Sequence, residues 1–166
     1  MKSENDLLKR VRLLTAVMIA GLVISGATAI PVVSELELLA GWFGVANVAD
    51  PESLYGMQRW IHDVWVGLKD TDARYPFLLY GYDWLAFGHF VIALAFVGAW
   101  RDPVRNVWLF EFGMIACVAV IPFALIAGHF RGIPLGWRAI DCMFGVIGFL
   151  PMWWARRMVR EITERR

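Results

Sequence analysis

Charge and cysteine are what this chain has least of. Only 19% of its 166 residues are Asp, Glu, Lys or Arg, against about a quarter in an ordinary soluble domain. The net charge of +1 leaves no surplus of Lys and Arg with which to neutralise phosphates, so no nucleic-acid partner is expected. Both cysteines, Cys117 and Cys142, fall inside apolar runs; this excludes a secreted disulfide framework and suits two small buried hydrophobes. The sequence has no phosphate-binding glycine loop, no HExxH and no serine elbow, and with them go the commonest nucleotide, metalloprotease and hydrolase chemistries. It also lacks the extramembrane cysteine pairs of a quinone-linked thiol oxidase, and the first-helix carboxylate of a small multidrug transporter.

Apolar residues are abundant: 59% of the chain is hydrophobic, 14% aromatic, and the mean hydropathy is +0.56. Such a chain has too much to bury to be disordered and too little charge to be an ordinary soluble domain. A spanning helix needs about 20 mostly apolar residues, and four runs meet that need. Leu13 to Val33 carries no charge; Trp84 to Trp100 is interrupted only by His89, Val107 to Ala127 only by Glu111, and Ala139 to Ala155 only by Asp141. The first run, preceded by Lys9, Arg10 and Arg12 and followed by Ala27-Thr28-Ala29, also fits a cleavable leader. Its 21 uncharged residues are long enough to span, and it is read as an uncleaved anchor.

Lys2, Lys9, Arg10, Arg12, Arg101, Arg105, Arg156, Arg157, Arg160, Arg165 and Arg166 fall on one side of these spans. Arg59, Lys69, Arg74, Arg131 and Arg138 fall on the other, with eight carboxylates between Glu35 and Asp83. The positive-inside rule then puts both termini in the cytoplasm. The expected fold is an all-α integral membrane protein of the inner or plasma membrane, a single transmembrane domain over 1–166. Its four helices form an antiparallel bundle, with an extracytoplasmic amphipathic helix within the outer segment 34–83, between spans 1 and 2. That helix is expected to open at Asp50-Pro51-Glu52, Asp as N-cap and Pro in the first turn, and to present Leu54, Met57, Trp60, Ile61, Val64, Trp65 and Leu68 on one face. A shorter helix is expected over Glu35 to Phe43, and a chain break at Tyr75-Pro76, with Tyr80, Tyr82 and Trp84 as an interfacial belt. Trp108, Glu111 and Pro122 in the third span match Trp137, Asp141 and Pro151 in the fourth, the pattern of an inverted repeat.

Ionisable groups in a membrane are costly, so each is a candidate site. His89, His129, Arg131, Arg138 and Asp141 all fall toward the outer ends of their spans and are read as a ligand-binding set lining an outward-facing polar pocket. Asp141 shares a helix face with Gly145 and Gly148, and small residues mark the face that packs on a neighbour. Its nearest cation is Arg138, and a structural ion pair between them is the plain alternative. The loop from Gly128 to Arg138, with three glycines and two arginines, could cradle an anionic group. Glu111 is the cytoplasmic-side candidate, either an inward half-site or the partner of Arg101 or Arg105 in an interfacial salt bridge.

The function expected from these residues is binding of a small amphiphile or lipid head group, with a transport or accessory role. The alternatives are an enzyme that uses His89 and Asp141 as catalytic acid and base on a membrane-embedded substrate, and a small subunit of a larger membrane complex or homo-oligomer. No cofactor is expected. Haem would need His89 and His129 at one depth, and they differ by about 10 Å along helices rising 1.5 Å per residue; no metal-ligand motif occurs either.

Overall fold

The computed structural model describes residues 3–165; Lys2 and Arg166, counted above with the cytoplasmic charge, lie outside them. The described residues form helices and no strand. The helices are α1 (Glu4–Ala29), α2 (Val32–Trp42), α3 (Gly56–Arg74), α4 (Tyr80–Arg101), α5 (Val107–Phe130) and α6 (Leu135–Glu164), with short 3-10 turns at Pro51–Ser53 and Pro76–Leu79. Four helical stretches are long and apolar enough to cross a membrane: Glu4–Ala29, Pro76–Arg101, Val107–Phe130 and Leu135–Glu164.

Their boundaries differ from the expected ones for local reasons. At the start of α1, Ser3 accepts the backbone N–H of Asp6 through its side chain at 3.2 Å, so the helix begins well before the uncharged run. The same helix stops at Ala29 and does not continue to Val33. Proline disfavours the α region at the residue before it, here Ile30, and brings no N–H to the ladder; α2 then restarts with Glu35 N–H on the Pro31 carbonyl at 3.0 Å. Asp50 does cap a turn, accepting from Glu52 N–H at 3.1 Å, but the chain is extended at Leu54 and Tyr55, and α3 begins only at Gly56 (φ 61°). The α3 face expected to be apolar is correct: Ile61 and Trp65 are buried, and Met57, Trp60, Val64 and Leu68 are half-buried.

The chain resolves into two compact units. One comprises Met1–Val23 with Phe90–Arg166, the other Ile24–His89. The core of the first is Val11, Phe96, Ala99, Leu109, Phe110, Met152, Ala155 and Val159, contributed by α1, α4, α5 and α6. Gly113 is what allows α4, α5 and α6 to meet there: a Cβ on it would stand 3.1 Å from Met152 Cγ and 3.2 Å from Phe96 Cζ. The turn between α4 and α5 is closed by Asn106, whose side-chain amide donates to the carbonyls of Gly98 (3.1 Å) and Asp102 (3.0 Å).

In the second unit, α2 packs on α3 around Ala40, Val45, Ile61 and Trp65. Gly44 (φ 70°) ends α2, with Val45 N–H reaching back to the Ala40 carbonyl at 2.9 Å, a closure that needs a left-handed residue. Gln58 donates to the Phe43 carbonyl at 3.3 Å and Arg59 to that of Pro51 at 3.0 Å. Lys69 lies over the Trp65 ring, 4.8 Å from its centroid.

Candidate functional site

The α5–α6 hairpin carries four of the five expected ligand-binding residues and Glu111. It turns at Gly132 (φ 68°), where Ile133 N–H reaches the Gly128 carbonyl at 2.9 Å and Gly132 N–H that of His129 at 3.2 Å; a residue with a Cβ would strain this helix end. From the turn the two helices run antiparallel in close contact. Arg138 Nη1 donates to the Leu125 carbonyl at 3.2 Å, and Cys142 Sγ faces the Ile121 carbonyl at 3.8 Å. Further along, Gly145 lies against the Cys117 carbonyl and Gly148 against Cys117 Sγ. At the far end Arg156 Nε meets Glu111 Oε1 at 2.8 Å. The face of α6 bearing Gly145 and Gly148 is therefore the one that packs, as small residues on a helix indicate.

Asp141 stands on α6 between Arg138 and Cys142, one turn before Gly145, and is half-buried. Among the described residues it makes no hydrogen bond and no ion pair. The expected pair with Arg138 is not formed. Arg138 instead lays its stem across Gly128, where a Cβ would come within 2.7 Å of Arg138 Cγ, and spends Nη1 on Leu125. Its Nε is buried without a partner. The missing side chain at Gly128 leaves room for the Arg138 stem on α5, and the guanidinium is held there by the Leu125 carbonyl.

His129 and Arg131 are exposed at the end of α5. The His129 ring makes an edge contact with Phe130, centroids 5.7 Å apart, and Arg131 caps the helix, its N–H on the Ala127 carbonyl. His89 belongs to the other unit. There its Nδ1 sits 2.8 Å from the Leu85 carbonyl one turn back; the bond makes Nδ1 the donor and leaves Nε2 with the ring's lone pair.

Glu111 pairs with neither Arg101 nor Arg105. The Arg101 carbonyl accepts from Arg12 Nη2 at 3.3 Å, and Arg105 N–H is held by the Asp102 carboxylate at 3.1 Å. Arg156 is the residue that sequence reading missed. Counting back along two antiparallel helices from their turn places it opposite Glu111, and that count was the available signal. Among the described residues no group of three or more His, Cys, Asp or Glu is placed to hold a metal ion.

No protein-family model, curated protein or solved structure matches this chain.

Proposed function

We propose that the chain is an integral membrane protein of four spans that binds the polar head of a small amphiphile at the turn end of the α5–α6 hairpin. In this reading α1, α4, α5 and α6 form an antiparallel bundle in an inner or plasma membrane. Both termini and the turn after α4 are cytoplasmic, and α2 and α3 lie on the outer side. The broad outward display of Leu13, Val17, Leu94, Ile115, Val118, Phe123, Phe144 and Ile147 supports a lipid setting, since a soluble monomer seldom leaves such apolar surface in water.

The observation that carries the binding role is the unpaired Asp141. A half-buried carboxylate without a partner is unfavourable in an apolar setting, and Arg138, the cation one turn before it in the sequence, donates to the Leu125 carbonyl instead. A ligand with a cationic or hydroxyl head would supply the missing partner, with Arg131 and His129 at the rim to meet an anionic portion. The test is native mass spectrometry of the detergent-purified protein and of Asp141→Asn, with thermal unfolding of both. A small-molecule adduct should be present on the wild type and lost from the variant. The ligand-free variant should be as stable as the wild type or more so, because a neutral amide costs less to bury than a charge. Retention of the adduct in Asp141→Asn, with unchanged stability, overturns the reading.

A further inference from the structure

We propose a second site at the opposite end of the same unit: a groove between α1 and α6 that holds the head group of an anionic phospholipid. The groove encloses about 440 Å³ and is lined by Arg10, Leu13, Leu14, Trp154, Arg157, Met158 and Glu161. The inference rests on the four-span reading but not on the Asp141 site.

The lining changes character along its length. On α1, Arg10 precedes the start of the uncharged run at Leu13; on α6, Trp154 lies at the end of the apolar run that closes at Ala155, and Arg157 is the second residue of the basic stretch that Arg156 opens. Both helices thus pass from apolar to charged at the level of the groove, which is where lipid phosphates meet acyl chains. Leu13 is 66% exposed and, with Leu14 and Met158, gives an apolar floor. The tryptophan suits the interface.

The charge balance singles out an anion. Of the α6 arginines, Arg156 is paired with Glu111, Arg160 with Glu164 and Arg165 with Glu161. That last pair neutralises the only carboxylate in the lining. Arg10 and Arg157 make no ion pair with a carboxylate among the described residues; Arg10 acts on Asp6 one turn back through its charge alone, and Arg157 stacks over the Trp153 ring, 5.7 Å from its centroid. Two guanidinium forks without a salt bridge, above an apolar floor, match a phosphate that carries its own acyl chains. A free phosphate would use the forks and leave the floor unfilled.

The experiment is native mass spectrometry of the full chain in detergent, titrated with an equal mixture of phosphatidylglycerol and phosphatidylcholine. Each basic residue near an anionic head contributes about a five-fold preference, equivalent to about 1 kcal/mol. The wild type should therefore favour phosphatidylglycerol by about 25-fold at low salt, less as ionic strength rises. Arg10→Gln and Arg157→Gln should each lower the preference about five-fold, and together abolish it. Arg160→Gln, whose parent is paired with Glu164, should leave it unchanged. Equal binding of the two lipids by the wild type overturns the proposal, as does a double variant that keeps the preference. Displacement by millimolar glycerol 3-phosphate would assign the site to a soluble phosphate ester and overturn the lipid assignment. Resistance of the protein to alkaline carbonate extraction is read separately, so that failure of the membrane reading is distinguishable from failure of the groove.

Discussion

Adding one methyl group at Gly145 should separate α5 from α6. A Cβ there would overlap the Cys117 carbonyl, stand 2.7 Å from Val120 Cγ1 and 3.3 Å from Ile121 Cγ1. Valine can turn away, but the carbonyl belongs to the α5 backbone and moves only if the helix does. The carbonyl is closer than the 2.7 Å valine contact, so to reach an ordinary 3.4 Å the helices must part by more than about 0.7 Å, a gap that forfeits a quarter to a half of each contact's dispersion well. Overpacking of this kind costs about 1–3 kcal/mol, and in a chain of this size each kcal/mol moves the midpoint by about 2–4 °C. Gly145→Ala should thus lower Tm in detergent by about 2–12 °C, read by circular dichroism. Gly21→Ala is the matched control. It lies in the interior of α1 with open space around it, where exchange of glycine for alanine stabilises a helix by about 0.5–1 kcal/mol. The two variants should move Tm in opposite directions. A Gly145→Ala protein as stable as the wild type would refute the close α5–α6 packing.

The Glu111–Arg156 pair joins two helices at 2.8 Å, yet its side chains are 44% and 39% exposed, so a double-mutant cycle with Glu111→Gln and Arg156→Gln should give a coupling of about 0.3–1 kcal/mol; zero coupling would remove the pair from the account of the hairpin. On α3, the hydrogen bond from Arg59 at 2.9 Å, aided by one from His62, holds the Asp63 carboxyl below the usual carboxylate range. Its contribution to stability is therefore complete above that range and lost as pH falls through the lowered value. Arg59→Gln should return the Asp63 titration, followed by NMR of the carboxyl carbon, toward the ordinary range and flatten the acid limb of unfolding; an unmoved titration would show that Arg59 is not the cause.

The long helices were legible because apolar runs of 17 to 21 residues broken by at most one ionisable group have few alternatives, and the half-buried face of α3 because its apolar residues recur at three and four. Their ends were legible only where side-chain chemistry marks them. Pro31 shows in the sequence and still escaped, since hydropathy runs unbroken across it while the backbone does not. The extended pair Leu54–Tyr55 was missed because Asp50-Pro51 is a good cap and nothing local says that it caps only one turn. At the candidate site the faces of α6 were readable from Gly145 and Gly148. The partners were not, because ion pairing depends on which helix lies opposite and in what register.

That register separates two carboxylates the sequence treats alike. Glu111 and Asp141 each stand early in a long apolar helix, near arginines, and each could have been a structural ion pair. Antiparallel pairing from the turn at Gly132 sets the start of α5 against the end of α6, so Glu111 meets the basic stretch that follows Trp154 and finds Arg156. The same pairing sets the neighbours of Asp141 on α5, Arg138 at the Leu125 carbonyl and Cys142 at that of Ile121, and the α5 residues between them, Pro122, Phe123 and Ala124, carry no charge. One carboxylate is paired within the fold, and the other makes no ion pair among the described residues. A bundle needing only stability would lose nothing by placing Asn or Ser at position 141, since a neutral polar group there costs less than an unpaired charge. On the proposed reading the acid is kept for a ligand, and Asp141→Asn, which should lose that ligand without losing stability, is the variant that decides it.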